Sequence, residues 1–152
     1  MRATGFTHVS IGARDLEESA RFYKDFFGME EVPAPEFSGP VRWLRVGGLQ
    51  LHLFHDEGPA PAGHHFALDV DDFEEAFRKA EELGVRDDDR YSTVRELPDG
   101  AVQMYLRDPS GNLVEVNWRD VNTLDRGLIR DIRKVVGPPD AALYMEADGG
   151  TS

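Results

Sequence analysis

The sequence predicts an α+β fold built from two similar modules, and the main reason is an internal repeat. Residues 8–15 have the sequence HVSIGARD and residues 65–72 have HFALDVDD, so a histidine opens each copy and an aspartate closes it. Each copy continues into a segment with the apolar spacing of a helix, and a glycine, Gly28 or Gly84, ends that segment. A strand–helix unit that occurs twice predicts duplicated halves that share one core.

The first predicted module covers residues 5–55. Asp15 and Glu18 have the spacing of a helix N-cap and its N3 carboxylate, so a helix is expected between Asp15 and Gly28. Further on, two adjacent glycines separate two apolar segments, which is typical of a β-hairpin. The predicted strands are Phe6–Ile11, Val41–Val46 and Leu49–Phe54, and the proline-rich residues 31–40 are predicted to form a loop.

The second predicted module covers residues 64–118, so that residues 1–118 form a single domain. Beyond it, residues 119–152 are expected to form a helical extension and a tail. The apolar residues from Val121 to Val135 have helical spacing, and a Gly-Pro-Pro sequence follows them, so we expect a C-terminal helix. The elements predicted in the second module are a helix at Asp72–Leu83 and strands at His65–Val70, Ser92–Leu97, Val102–Arg107 and Leu113–Trp118.

Charge and cysteine content exclude several classes of function. The chain has 29 acidic and 17 basic residues and a net charge of −12, so we expect it to bind neither nucleic acid nor an anionic membrane surface. It has no cysteine, which excludes disulfides and thiolate nucleophiles and limits any metal to nitrogen and oxygen ligands. No apolar segment suits secretion or membrane insertion, so a cytoplasmic location is expected.

Strand alternation predicts which polar side chains share a cavity. If the helices cover the apolar side of each sheet, the opposite sides would border a cavity lined by His8, His52, His65 and Glu115. Three imidazoles and a carboxylate suit one divalent ion, Fe, Mn, Ni, Co or Zn. A histidine considered alone is more often structural, but the repeat favours a ligand role for His8 and His65. A ligand role is also favoured for Glu115 over a solvated carboxylate, whereas the role of His52 stays open.

Other side chains are weaker candidates. Tyr105 shares a face with Gln103 and Arg107, so it either donates a hydrogen bond to substrate or is an ordinary tyrosine of the sheet. His55 and His64 are expected at the surface. Four further residues either bind an anionic or aromatic substrate or have only surface and packing roles: Arg42, Trp43, Arg45 and Arg95.

Three motifs resemble one known family. They are the HV…D…FY…FFG pattern from His8 to Gly28, the HFALDVDD sequence, and YLRDPSGNLVEV at residues 105–116. Across about residues 5–118 the chain resembles the vicinal oxygen chelate superfamily, which includes glyoxalase I, methylmalonyl-CoA epimerase, extradiol dioxygenases, fosfomycin-resistance thiol transferases and bleomycin-binding proteins. The resemblance implies paired βαβββ modules around a U-shaped, eight-stranded cavity, with His8, His52, His65 and Glu115 as metal ligands.

One position departs from the family pattern and leaves the activity open. Glyoxalases and epimerases commonly have Glu or Gln where this chain has His52, and dioxygenases use three ligands equivalent to His8, His65 and Glu115. His52 is therefore either a fourth ligand or a base close to the metal. The resemblance implies three alternatives, all acting on a small molecule. The first, which we favour, is a glyoxalase-like lyase or isomerase in which Glu115 or a nearby base removes a proton beside a carbonyl.

The second alternative is an extradiol-type dioxygenase in which Tyr105 orients a catecholate, and the third is a bleomycin-type binding protein without turnover. A set of four convergent ligands disfavours a pure binding protein. We also expect a homodimer, because the sheet edges of such a fold are often covered by another subunit and the C-terminal segment offers an apolar stripe.

Overall fold

The computed structural model describes residues 1–145, and its elements follow the predicted duplication. The chain forms two compact units. Unit 1 contains residues 1–66 together with residues 106–114, and unit 2 contains residues 67–105 together with the chain from Glu115 onwards. The α+β class and the paired strand–helix–three-strand order are confirmed. In the described part of the chain, no helix is long and apolar enough to cross a membrane.

The first sheet has four strands and lies in unit 1. Its order is β1-β4-β3-β2; β1 is parallel to β4, and the other neighbours are antiparallel. The predicted loop at residues 31–40 is shorter than expected, because its first residues pair with β3 as part of a strand. The elements are β1 His8–Ala13, α1 Leu16–Phe27, β2 Glu30–Val32, β3 Val41–Val46 and β4 Leu49–His55.

Local sequence explains where helix α1 begins and ends. The Asp15 side chain accepts a hydrogen bond from the Glu18 backbone N–H at 2.9 Å, and this satisfies one of the free N–H groups of the first turn. At the other end Gly28 has φ 64°, a left-handed conformation that favours glycine. The buried side of α1 includes Ala20 and Tyr23, and the helix packs on β3 and β4.

The second sheet has five strands in the order β5-β8-β7-β6-β9. Its helix repeats the caps of α1, because the Asp72 side chain accepts from the Glu75 N–H and Gly84 has φ 64°. The strands β7 and β8 have the predicted bounds, whereas β6 is shorter than the predicted Ser92–Leu97 strand. The elements are β5 His65–Asp69, α2 Phe73–Leu83, β6 Arg95–Glu96, β7 Val102–Arg107, β8 Leu113–Trp118 and β9 Arg133–Lys134.

The predicted C-terminal helix at Val121–Val135 is wrong. The segment begins with a 3₁₀ turn at Val121–Thr123 and later adds β9 to the edge of the second sheet. Backbone hydrogen bonds from Arg133 N–H to Val94 O and from Val135 N–H to Glu96 O fix that strand. Val121 and Ile129 are buried and anchor an irregular segment, and the apolar helix that supported the homodimer prediction is not present.

A turn far along the chain completes unit 1. Asp108 is buried, and its carboxylate accepts hydrogen bonds from the Tyr23 hydroxyl at 2.9 Å and from the N–H groups of Ser110 and Asn112. The Asn112 side chain in turn donates to Gly12 O of β1 at 2.8 Å. Burial, and next the charge of Asp108, raise the pKa of Tyr23, so the hydroxyl keeps its proton and acts as a donor.

Candidate functional site

The first sheet has one side packed on α1 and one side that carries polar side chains. Leu51 and Leu53 of β4 are buried, and by alternation Gln50 and His52 point to the opposite side. His8 of β1 is the register partner of Gln50. Because register partners in neighbouring strands share a side, His8, Gln50 and His52 lie on the same side of the sheet in unit 1.

Three rings are stacked on this side. The centroids of Trp43 and His52 are 4.1 Å apart with an interplanar angle of 2°, and those of His52 and His8 are 4.3 Å apart at 16°. His52 Nε2 lies 2.7 Å from Gln50 Oε1, and since a carbonyl oxygen only accepts, the imidazole donates this bond. Burial, and next the charge of His8, lower the pKa of His52, so the stack favours a neutral imidazole.

The rings of His8 and His52 lie in nearly parallel planes, at 16° to each other. In this arrangement their in-plane lone pairs do not converge, so an ion about 2.0–2.1 Å from both rings would require one ring to turn. Gln50, which was not among the predicted ligands, is the register partner of His8. Its side-chain oxygen is of the kind that can bind a metal ion. The alternation in LQLHLFH signals both Gln50 and His52, and only the register with β1 and β3 shows which of them is packed inside the stack.

His65 opens β5, as predicted, and belongs to unit 1. Its Nδ1 lies 2.9 Å from the carbonyl oxygen of Gly63, so Nδ1 carries a proton and donates. This bond orients the ring in the manner common for metal-binding histidines, whose other ring nitrogen contacts a carbonyl or carboxylate. His65 also lines a cavity of about 330 Å³ in unit 1, together with Ser10, Phe66 and His64, which was expected at the surface.

Glu115 lies in unit 2 and is buried, with 4% of its surface exposed. Its Oε2 accepts a hydrogen bond from the Tyr105 hydroxyl at 2.7 Å, and its Oε1 accepts one from the Gln103 amide at 2.6 Å. Burial, and next the hydrogen bond to Glu115, raise the pKa of Tyr105, so this hydroxyl remains a donor. Glu115 is therefore a buried, hydrogen-bonded carboxylate and not a solvated one.

The four weaker candidates have different surroundings. Trp43 belongs to the ring stack. Arg42 bonds to Glu31 at 2.7 Å and to Glu17 at 2.9 Å. Arg45 pairs with Glu30. Arg95 instead lies over two aromatic rings, 4.9 Å from the centroid of Tyr91 and 5.8 Å from that of Tyr105.

Within residues 1–145, no three histidine, aspartate or glutamate side chains form a group that could hold a metal ion. His8 and His52 are brought together in unit 1, and Tyr105 and Glu115 are brought together in unit 2. A ligand set of His8, His52, His65 and Glu115 therefore stays a prediction.

Comparison with known proteins decides the family. Residues 5–116 match the Glyoxalase/Bleomycin resistance protein/Dioxygenase superfamily. The chain belongs to this superfamily. The human mitochondrial methylmalonyl-CoA epimerase is 29% identical, over 72% of this chain and 70% of the epimerase. Glyoxylase I 4 of Arabidopsis thaliana is 27% identical, over 76% of this chain and 71% of that protein.

Solved structures give the same result. Lactoylglutathione lyase from Agrobacterium tumefaciens is 26% identical with a TM-score of 0.58, over 77% of this chain and 95% of the lyase. The oxidase ChaP-H2 is 28% identical with a TM-score of 0.61, over 78% of this chain and 95% of the oxidase. The predicted family is confirmed, and because these relatives are named as an epimerase, a lyase and an oxidase, the family alone does not fix one activity.

Proposed function

We propose that this protein is a metal-dependent lyase or isomerase of the glyoxalase and epimerase type. Its substrate would be a small molecule with two adjacent oxygens, and the reaction would remove a proton from the carbon beside a carbonyl. The observation that supports this most is the buried Glu115 carboxylate, oriented by Tyr105 and Gln103. A fixed carboxylate with limited access to water suits a general base.

The family and the sequence repeat support one divalent ion as the cofactor. We assign His8, His65 and Glu115 as ligands, and Gln50 rather than His52 as the fourth. The assignment of donors from both units to a single ion rests on the sequence repeat and the family. When bound, the ion would polarise the carbonyl and stabilise the negative charge that forms as the proton leaves. His52 would then orient the Gln50 amide through its hydrogen bond.

The chain's own groups around the base support the proton transfer. Tyr105 and Gln103 each donate to one oxygen of Glu115, so the carboxylate cannot rotate freely and presents the same atoms in each cycle. Tyr91 stacks on Tyr105 with centroids 4.5 Å apart, and this fixes the plane of the tyrosine ring. Positioning of this kind lowers the barrier by removing the need to reorganise the site during the reaction.

A second candidate is an oxidase or ring-cleaving dioxygenase. The similarity to ChaP-H2 and to a second oxidase, ChaP-H1, at 30% identity and a TM-score of 0.59, favours it. This alternative needs only His8, His65 and Glu115 as ligands, so it does not require Gln50. Binding of a drug without turnover has no comparable support, and a homodimer remains a proposal that light scattering across a range of concentrations can test.

The deciding experiment measures metal affinity and proton exchange together. Glu115→Gln keeps the side-chain shape and removes the charge, so affinity for a divalent ion should fall by more than the ~10–100-fold typical of residues that contact ligands. Glu96→Gln, in a buried carboxylate on β6, is the matched control and should keep full affinity. Deuterium uptake beside the carbonyl of methylmalonyl-CoA or lactoylglutathione in D₂O should require both the metal and Glu115.

Five outcomes separate the alternatives. Wild-type protein that binds no divalent ion at neutral pH contradicts the proposal, as does metal binding by Glu115→Gln at wild-type strength. Gln50→Ala with a loss of affinity close to that of His8→Ala supports four ligands, and a small loss supports three. Oxygen consumption with a catechol, without deuterium uptake, would replace the lyase or isomerase by the dioxygenase.

A further inference from the structure

The strand pair β6 and β9 has two different sides. Glu96 and Lys134 are register partners on one side, where Glu96 pairs with Lys134 at 3.3 Å and with Arg126 at 3.2 Å. On the other side the register partners are Arg95 and Arg133. On one side the charge of Glu96 is neutralised by Lys134 and Arg126, and on the other side two arginines are register partners.

This arginine pair does not stabilise the fold through ion pairs. Within residues 1–145, neither Arg95 nor Arg133 has a carboxylate within ion-pair distance. Arg42, Arg45 and Arg86 do have carboxylate partners, as expected in a chain with 29 acidic residues. Like charges in register on neighbouring strands destabilise a sheet. No carboxylate of residues 1–145 neutralises the pair, so its charge is available to an anionic ligand.

The pair lies on the same side of the second sheet as Glu115. Arg95 is the register partner of Gln103, and Gln103 donates its amide to Glu115. The Arg95 guanidinium also lies over the ring of Tyr105, whose hydroxyl donates to the other oxygen of Glu115. Because β7 separates β6 from β8, the strands that carry Arg95 and Glu115 are about 10 Å apart.

We propose that Arg95 and Arg133 bind an anionic group, a carboxylate or a phosphate, of the substrate whose reacting carbon lies at Glu115. A guanidinium held over the rings of Tyr91 and Tyr105 has lost part of its rotational freedom before binding, and its planar edge suits bidentate contact with an oxyanion. The net charge of −12 repels anions from most of the protein, so this pair is a local exception. Only the position of the reacting carbon rests on the proposed function; the anion site does not.

The test is a titration of the full chain with inorganic phosphate and, separately, with malonate at low ionic strength, followed by NMR chemical shifts of the arginine side chains. Wild-type protein should show saturable binding. Arg95→Gln should weaken it by about tenfold or more, because a charge-assisted bidentate contact is lost. Arg133→Gln should weaken it by a smaller factor, since that side chain is exposed. The matched control is Lys134→Gln, which removes the same charge from the opposite side and should change the affinity by less than about twofold.

The results of the titration decide whether the anion site exists and which anion it prefers. Tighter binding of phosphate than of malonate identifies a phosphorylated substrate, and the reverse identifies a carboxylate. Absence of saturable binding to both anions overturns the proposal, as does an equal loss in Lys134→Gln, which would mean general charge attraction. If Arg95→Gln fails to fold by circular dichroism, Arg133→Gln and Arg95→Lys decide in its place.

The same proteins separate this inference from the proposed function. Arg95→Gln should raise KM for an anionic substrate and leave divalent-metal affinity unchanged, whereas Glu115→Gln should lose metal affinity and still bind phosphate. Metal binding without phosphate binding overturns only the anion site. Phosphate binding without metal binding overturns only the proposed function.

Discussion

The polar sides of the two sheets hold their key residues by different physical means. In unit 1 His8 and His52 lie on a partly exposed surface, and ring stacking with Trp43 fixes the planes of the rings. In unit 2 Glu115 is buried, and hydrogen bonds to Tyr105 and Gln103 fix individual oxygen atoms. The helix caps are the same in both halves, so the duplicated backbone was kept while the side chains diverged.

This difference indicates that the polar sides of the two units have different roles. Stacking fixes the plane of a ring but leaves sliding within that plane possible, which suits a surface that adapts to a ligand. Two hydrogen bonds to one buried carboxylate fix both position and direction, which suits an atom that must accept a proton. Variants that remove a stacked ring from unit 1 or a hydrogen-bonding group from unit 2 test this contrast.

The largest expected effect follows removal of the buried carboxylate. Glu115→Ala leaves the Tyr105 hydroxyl and the Gln103 amide without that acceptor, so the free energy of unfolding should fall by about 2–4 kcal/mol. His8→Ala, on the exposed side of unit 1, should change it by less than about 0.5 kcal/mol. Urea denaturation of metal-free protein measures both values, and similar losses would erase the contrast between the units.

Removal of the Trp43 ring from the stack in unit 1 should have an intermediate effect. Trp43→Ala removes a stacked pair worth about 0.5–1.5 kcal/mol beyond its buried area, so a total loss of about 1–2 kcal/mol is expected. The NMR signals of the His52 ring should also move downfield as the indole ring current disappears. Phe37→Ala, at an exposed ring 6.0 Å from Trp43, is the control, and unchanged His52 signals in Trp43→Ala would contradict the stack.

Removal of a single donor in unit 2 should have a smaller effect on stability. Tyr105→Phe deletes one hydrogen bond to Glu115 and keeps the ring stacked on Tyr91, so the loss should be about 1 kcal/mol. The rate of deuterium uptake by substrate should fall more than stability does, because the carboxylate loses one of the two hydrogen bonds that orient it. A variant with reduced stability and unchanged exchange would limit Tyr105 to a structural role.

The smallest effect is expected at the rim of unit 1. The hydrogen bond from Arg42 lowers the pKa of Glu31, with a further contribution from Lys24. Its stabilisation is therefore present above the pKa of the unfolded chain and is lost as the pH falls through the lower pKa of the folded protein. Arg42→Ala should cost at most about 1 kcal/mol at pH 7, and its deficit relative to wild type should vanish in acid. A deficit that persists at pH 3 would show that Arg42 acts by packing.

Local signals were sufficient to predict most of the fold. The two Asp caps, the two terminal glycines and the bounds of β3, β7 and β8 follow from short-range chemistry, and the structure has them as predicted. The helix at Val121–Val135 was predicted wrongly because apolar spacing alone does not reveal that Arg133–Lys134 pairs with β6, an interaction set by tertiary structure.

Less of the candidate site than of the fold could be predicted from the sequence. The repeat indicated His8 and His65, and the buried strand indicated Glu115. Gln50 was not among the predicted site residues, because alternation places it and His52 on the same side and only strand pairing shows that it is the register partner of His8. The bonds from Tyr105 and Gln103 to Glu115 likewise depend on pairing across strands, which no short segment of sequence specifies.

The return of the Asp108–Asn112 turn to unit 1 has a consequence for synthesis of the chain. Its hydrogen bonds join residues that are 85 to 100 positions apart, such as Tyr23 with Asp108 and Gly12 with Asn112. The first half of the protein therefore cannot finish folding on the ribosome until almost the whole domain has emerged. Because such distant contacts form slowly, the first half should depend on chaperones or on rapid translation of the second half to avoid aggregation.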